Sequence, residues 1–277
     1  MKKRITKKQH YIPQMILKNH SCSFENKNFY IYQYDKQDDE IRKVNIKDIC
    51  KKNHLYEFKN EDNQIIPNTQ NLIENLFSIY ENKWARVIRK IKDNKPLSDE
   101  DLCYLYLLIA YQYLRVPKSI DFLTKKIEEN TKLSKAASDA CAKLSCFLLA
   151  NHPECKSVLA SFINHIFPMH IGILKSTKIP FFLNGECAVN SISFANGYNL
   201  NDSFSFEFLL PIDKHYCLVL TKEKPKNTIM DISKFSKGVE QINKCIFNYP
   251  ARFIYCSEKF KNKEAYADDR IRYMGKV

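Results

Sequence analysis

The period of the apolar residues changes once along this chain, and that change limits the fold more than any other feature. From Gln70 to Lys92, the residues Leu72, Leu76, Tyr80, Trp84, Val87, Ile88 and Ile91 recur at intervals of three and four. That spacing lays one apolar stripe along a helix of about six turns. Leu97-Ser98-Asp99-Glu100-Asp101 opens the next helix. The Ser98 hydroxyl is placed to accept from free amides, and the acids favour the positive helix end. This helix is expected to stop near Arg115, because Pro117 drives the residue before it out of helical space. Residues 118–150 and 154–166 read as two further helices. After Pro168 the period shortens: Ile171 to Leu174, Phe181 to Leu183, Ser203 to Leu210 and Tyr216 to Thr221 read as strands, with Ser-Phe-Ser-Phe-Glu-Phe alternating cleanly. A helix from about Ile232 to Phe247 and a strand at Arg252 to Cys256 complete the β-rich part.

The N-terminal region adds a β-hairpin, Phe29 to Tyr34 and Ile41 to Ile46 about the acidic turn Asp38-Asp39-Glu40. It also adds a short helix whose first turn carries Pro13 and whose apolar positions are Ile12, Ile16 and Leu17. The expected class is therefore α+β, a helical block inserted between an N-terminal β-hairpin and a C-terminal, mainly antiparallel sheet. No repeat and no linker rich in Pro, Gly or Ser interrupts it. One domain over residues 1–277 is the simplest organisation, with the helical block at about 70–166, the β-rich part at about 168–257 and a charged tail at 258–277.

Composition narrows function mainly by exclusion. The longest apolar run, Asp101 to Leu114, is too short and too polar to span a bilayer, and the basic start has no apolar run behind it, so a cytoplasmic protein is expected. Of ten cysteines, Cys103, Cys141, Cys146 and Cys245 fall within helical patterns and Cys217 and Cys256 within strand patterns, as free thiols of a reduced core do. Five glycines and no Gly-rich turn exclude a phosphate-cradling loop, and no Gly-x-Ser-x-Gly elbow supports a serine hydrolase. The net charge of +13 suits nucleic acid or another polyanion as partner. Lysine greatly outnumbers arginine, however, and Asn and Ile abound, as an AT-rich genome dictates whatever the function.

Lys7-Lys8-Gln9-His10-Tyr11-Ile12-Pro13-Gln14, followed by Leu17 and Asn19, resembles the opening motif of a bacterial family known as domain of unknown function 4238. The resemblance continues through Ile73 to Ser78 with Glu81, Ile109 to Gln112 with Arg115-Val116-Pro117, Leu210-Pro211-Ile212, and Arg252 to Tyr255. It spans roughly Lys7 to Cys256. Members carry a Ser-Asp-Asn-Pro-like turn after the strand that here is Phe181-Phe182-Leu183, whereas this chain reads Asn184-Gly185-Glu186-Cys187-Ala188. The resemblance implies that the aspartate is lost or its carboxylate moved to Glu186. It implies no chemistry.

Candidate site residues follow from polar groups in apolar surroundings. His10 is a candidate general acid or base, with Gln14 four positions on, against a histidine that merely fixes the N-terminal arm. Gln112 and Arg115 interrupt an apolar helix three apart. A buried guanidinium needs an anion, either a phosphate or carboxylate ligand or an internal glutamate, with Glu74 and Glu81 as the internal candidates. Glu74 and Glu186 are the carboxylates that would complete a site. A zinc set of Cys141, Cys146, His152 and Cys155 lacks the short knuckle spacing and is disfavoured, so the only cofactor left in view is a divalent metal ion. Two functions remain expected. The first is a nucleic-acid-acting protein, a nuclease-like effector of a bacterial defence or toxin system, with His10, Arg115 and Glu186 catalytic and Gln14, Gln112 and Glu74 binding substrate. The second is a non-catalytic module for a protein partner or a small anionic ligand.

Overall fold

In the computed structural model, residues 5–148, 157–191, 206–260 and 266 are described. Along the chain come β1 (Lys8–His10), α1 (Gln14–Asn19), β2 (Ser23–Glu25), β3 (Asn28–Asp35), β4 (Glu40–Asn45), a 3₁₀ turn (Ile46–Asp48) and β5 (Lys51–Asn53). The helices α2 (Leu72–Lys92), α3 (Asp99–Leu114), α4 (Pro117–Asn130), α5 (Lys135–Phe147) and α6 (Val158–Ile166) follow. Then come β6 (His170–Lys175), β7 (Leu183–Asn184), β8 (Asn190–Ser191), β9 (Phe206–Asp213), β10 (Tyr216–Thr221), β11 (Ile229–Asp231), α7 (Ser236–Asn248) and β12 (Phe253–Cys256). The class is α+β, with a helical block between the N-terminal hairpin and the C-terminal strands. No described helix is long and apolar enough to cross a membrane.

The fold gathers into two compact units, each made of two pieces of chain. One comprises residues 1–11 and 51–167, the other 12–50 and 168–277. In the first, β1 pairs antiparallel with β5, and five helices form the rest. Its centre is aromatic: Tyr56, Phe77 and Phe147 meet edge to face at centroid distances of 5.1–5.5 Å. Ser98 caps α3 by accepting from the Asp101 amide, while the Asp101 carboxylate accepts from the Ser98 amide. The stretch expected as one helix over 118–150 is in fact two. Thr131 is extended, and Ser134 caps a fresh helix by accepting from the Ala137 amide. A side chain that satisfies a free amide at that point makes the break inexpensive.

The second unit holds two sheets. In one, β3 is shared by β2, β4 and β12, and β12 continues to β7, so the N-terminal hairpin lies in a sheet with the last strand. The other runs β11-β6-β10-β9-β8, antiparallel except for the parallel β11–β6 pair. The expected strand at Phe181 to Leu183 is reduced to Leu183–Asn184, and the expected helix starts four residues late because β11 and a turn precede it. Residues 203–205 of the alternating Ser-Phe run lie outside the described residues. Apolar faces of β10, β12 and α7 meet in a core that includes Val219, Ile254, Ile242 and Ile246, all within 3% exposure. Asn243 on α7 ties this core to the chain before β7, accepting from the Phe182 amide and donating to the Pro180 carbonyl at 2.9 Å each.

Gly185 follows β7 where the backbone runs against β12. A Cβ there would lie 2.6 Å from Tyr255 Cε2 and 2.9 Å from the Phe253 carbonyl oxygen. Since backbone is among the obstructing atoms, Gly185→Ala is expected to cost roughly 1–3 kcal/mol, the usual range for overpacking. A urea titration followed by circular dichroism reads this as a lower midpoint. An unchanged midpoint would mean that the close approach relaxes freely.

Candidate functional site

Arg115 is the largest buried charge of the first unit, 1% exposed just beyond the end of α3. Its Nη1 meets Glu81 Oε1 on α2 at 3.0 Å, its Nε donates to the Tyr56 hydroxyl at 3.3 Å, and its Nη2 donates to the His10 carbonyl oxygen. The guanidinium also lies 4.1 Å from the Phe77 ring centroid. Burial works against the cation, but Tyr56 and Glu81 outweigh it and raise its pKa. Of the two partners open in the sequence, the internal one is present, and it is Glu81 rather than Glu74.

Glu74 is half-buried on the same helix, and its Oε1 has no hydrogen-bond partner among the described residues. Burial pushes its carboxyl up to about 7; Arg115 opposes this, while Glu81 and Glu57 add to it. A buried carboxyl without a hydrogen-bond donor on Oε1 is disfavoured in its charged form, which is why burial leads the causes of the shift. Gln112, fully buried on α3, has neither side-chain polar atom partnered among the described residues.

The remaining predicted residues lie on other elements, spread over both units. His10 sits in β1 and Gln14 begins α1, so the two do not share a helix, and they belong to different units. What Arg115 takes from His10 is a backbone oxygen. Glu186 belongs to the second unit, where its Oε1 accepts from the Arg252 amide at 3.0 Å. The turn around it is an Asx turn, with Asn184 Oδ1 accepting from the amides of Glu186 and Cys187. The Arg252 side chain grips Asp35 bidentately and also reaches Asp38. That grip, with the Gln37 and Asp38 amides, outweighs the cost of burial and holds the Asp35 carboxyl down at about 2. Cys141 is half-buried and Cys146 is buried on α5; His152 and Cys155 lie outside the described residues. Among the described residues no three His, Cys, Asp or Glu side chains are grouped to hold a metal ion.

Sequence reasoning missed three features of the first unit. Gln9, not His10, is the anchored member of the opening motif. Its Nε2 donates to Glu57 Oε1 at 2.8 Å and its Oε1 accepts from the Tyr56 amide at 2.7 Å. Second, a groove of about 780 Å³ is lined by the 52–63 segment, α4 and α5, with five lysines and His54 against four carboxylates. Lys52 faces Asp121 at 3.7 Å, whereas Lys59 and Lys135 pair with no carboxylate among the described residues. Third, Lys143 in that lining is 3% exposed. The only local signal for it was Asp139 four positions earlier on α5.

No curated protein and no solved structure matches the chain. The family described as protein of unknown function (DUF4238) matches residues 8–260, from β1 to just past β12 and so across pieces of both units. The match covers far more than half of the sequence, so the chain belongs to the DUF4238 family.

Proposed function

We propose that this protein acts on nucleic acid, holding the phosphates of a strand in the lysine-lined groove of the first unit. The observation that carries this reading is where the charge lies. Among the described basic side chains only Arg115 and Lys143 are buried, whereas burial removes the carboxylates Asp35, Glu57, Asp101 and Asp213 from the surface. Among the described residues burial therefore removes more acidic than basic side chains, and the groove offers Lys59 and Lys135, which pair with no described carboxylate, within a concave wall. The catalytic form of the proposal is a phosphodiester-cleaving effector of a bacterial defence or toxin system. It draws support from Glu74, on α2 beside Arg115 rather than in the groove lining, whose carboxyl burial pushes up to about 7. A second reading, a non-catalytic module for a protein partner or small anion, is favoured by the closure of Arg115 on Glu81.

Fluorescence anisotropy with labelled single-stranded RNA, single-stranded DNA and duplex DNA tests the main reading. Affinity is expected to fall steeply with salt. Lys59→Glu and Lys135→Glu are each expected to lower the slope of log K against log salt by about 1 or more. Binding that ignores both salt and the two charge reversals would sink the nucleic-acid reading. Incubation of the same strands with Mg²⁺ or Mn²⁺ separates cleavage from binding alone.

A further inference from the structure

We propose that Lys143 is a nucleophilic amine that forms an imine with an aldehyde or ketone carbon carried close to a phosphate, taken up in the groove of the first unit. The proposal rests on the anionic occupant assigned above and adds the reacting group. Lysine is the commonest charge on this chain, yet among the described lysines Lys143 alone is buried, and it lines the groove. Its Nζ donates to Asp139 Oδ2 at 2.6 Å and to the Glu57 carbonyl oxygen at 2.7 Å, which leaves the third N–H without a partner among the described residues. Desolvation disfavours the ammonium, and the neighbouring Lys59 charge adds to the effect. Together they prevail over Asp139, and the Lys143 pKa is lowered. A desolvated lysine beside a second cation is how amine nucleophiles are activated. A carboxylate in hydrogen-bond contact supplies the proton acceptor. The Asp139 side chain is 29% exposed, so it can exchange that proton with solvent.

The chemistry closes on these groups. Asp139 takes one ammonium proton, and the freed nitrogen lone pair forms a bond to the carbonyl carbon as the C=O π electrons move to oxygen. A proton passes from nitrogen to that oxygen, giving a carbinolamine. The Asp139 proton then goes to the hydroxyl, the C–O bond breaks, water leaves, and a protonated imine remains on Lys143. Lys59 and Lys135 hold the phosphate that comes with the carbonyl. Two sources carry this pair of groups: a phosphorylated sugar aldehyde, and the ring-opened sugar of an abasic site in a nucleic-acid strand. A volume of about 780 Å³ accommodates either as a small-molecule or nucleotide-sized guest.

The test traps the imine. The full chain is incubated at pH 7 with cyanoborohydride and either glyceraldehyde 3-phosphate or an oligonucleotide containing one abasic deoxyribose. Adducts are then mapped by peptide mass spectrometry, and the intact oligonucleotide is assayed for binding in parallel. Lys143 is expected to carry the reduced adduct several-fold over exposed lysines such as Lys27 and Lys237, because desolvation leaves more of its amine unprotonated at pH 7. Lys143→Arg keeps the charge and is expected to lose the adduct, and Asp139→Asn to slow its formation. Should either variant fail to fold, the map on the unaltered chain decides alone. Trapping of only one probe on Lys143 supports the amine and identifies the source. Adducts spread over exposed lysines with none on Lys143 overturn the proposal and leave Lys143 as a strut between α5 and Glu57. Binding of the oligonucleotide with neither probe trapped removes the amine alone, and trapping of the small aldehyde without oligonucleotide binding removes the nucleic-acid reading alone.

Discussion

Arg115→Ala is expected to destabilise the first unit by about 3–5 kcal/mol, the range found when one partner of a buried ion pair is removed. The reason is what it leaves behind. Tyr56, 2% exposed, keeps its donation to the Arg115 carbonyl at 2.9 Å but loses the guanidinium over its ring. Glu81 loses its cation on a side chain only 31% exposed, and the His10 carbonyl loses a charged donor. Because three elements meet at this one side chain, β1, α2 and the end of α3, the loss is expected in the cooperativity of unfolding as well as in its midpoint. Arg115→Lys keeps a charge but not the planar fork, and is expected to recover less than half of the deficit. In a double variant, Arg115→Met with Glu81→Gln, no charge is stranded, and stability is expected to lie above that of Arg115→Ala. Urea unfolding monitored by tryptophan fluorescence reads all three, since Trp84 is buried in the same unit. A loss below about 1 kcal/mol in Arg115→Ala would show that water replaces the guanidinium, as at surface pairs, and would return Arg115 to the pool of candidate ligand-binding residues.

What was legible in the sequence is what local chemistry decides. Ser98 with Asp101 forms a cap within four residues, Pro13 places α1, and Asp38-Asp39-Glu40 turns a hairpin in which Asp39 adopts φ 57°. Each signal lies beside the structure it makes. The break between α4 and α5 has no proline or glycine to mark it, only Ser134, and a serine inside a helical run is common enough to pass unnoticed. Strands of three residues, such as β1, β5 and β11, are too short to show a period at all. Of the three places where the chain crosses between the two units, Phe167–Pro168 coincides with the change of period, whereas Tyr11–Ile12 and Cys50–Lys51 lie inside ordinary sequence with no linker and were hidden. For the site, Arg115 stood out as a cation in an apolar helix, with its partner left open between an anionic ligand and Glu74 or Glu81. Gln9 did not stand out, because the groups it serves are 47 and 48 positions away. Lys143 was concealed by abundance: among 44 basic residues, nothing local says which one is buried.

The other large effect expected concerns Glu74 and depends on pH. Its carboxyl is held near 7 in the folded chain against an ordinary value of 4.5, first by burial and then by Glu81 and Glu57 in spite of Arg115. A carboxyl whose folded pKa is raised is accommodated in its neutral form. Its stabilising contribution is fully present below pH 4.5 and is lost as pH rises from there through about 7. The full shift corresponds to about 3 kcal/mol, and partial exposure of the side chain reduces the expected figure to about 2. Glu74→Gln keeps the shape and the hydrogen-bonding capacity while removing the charge. It is therefore expected to match the unaltered protein near pH 4.5 and to exceed it by about 2 kcal/mol at pH 8. Titrating groups remote from Glu74 are common to both proteins and drop out of the difference, so paired urea titrations across pH 4.5–8 read this carboxyl together with its coupling to Glu81 and Glu57. A constant difference across that range would mean that Glu74 ionises in the fold as freely as in water. The orphaned Oε1 would then have found solvent, and with it would go the support that Glu74 lends to proton transfer at neutral pH.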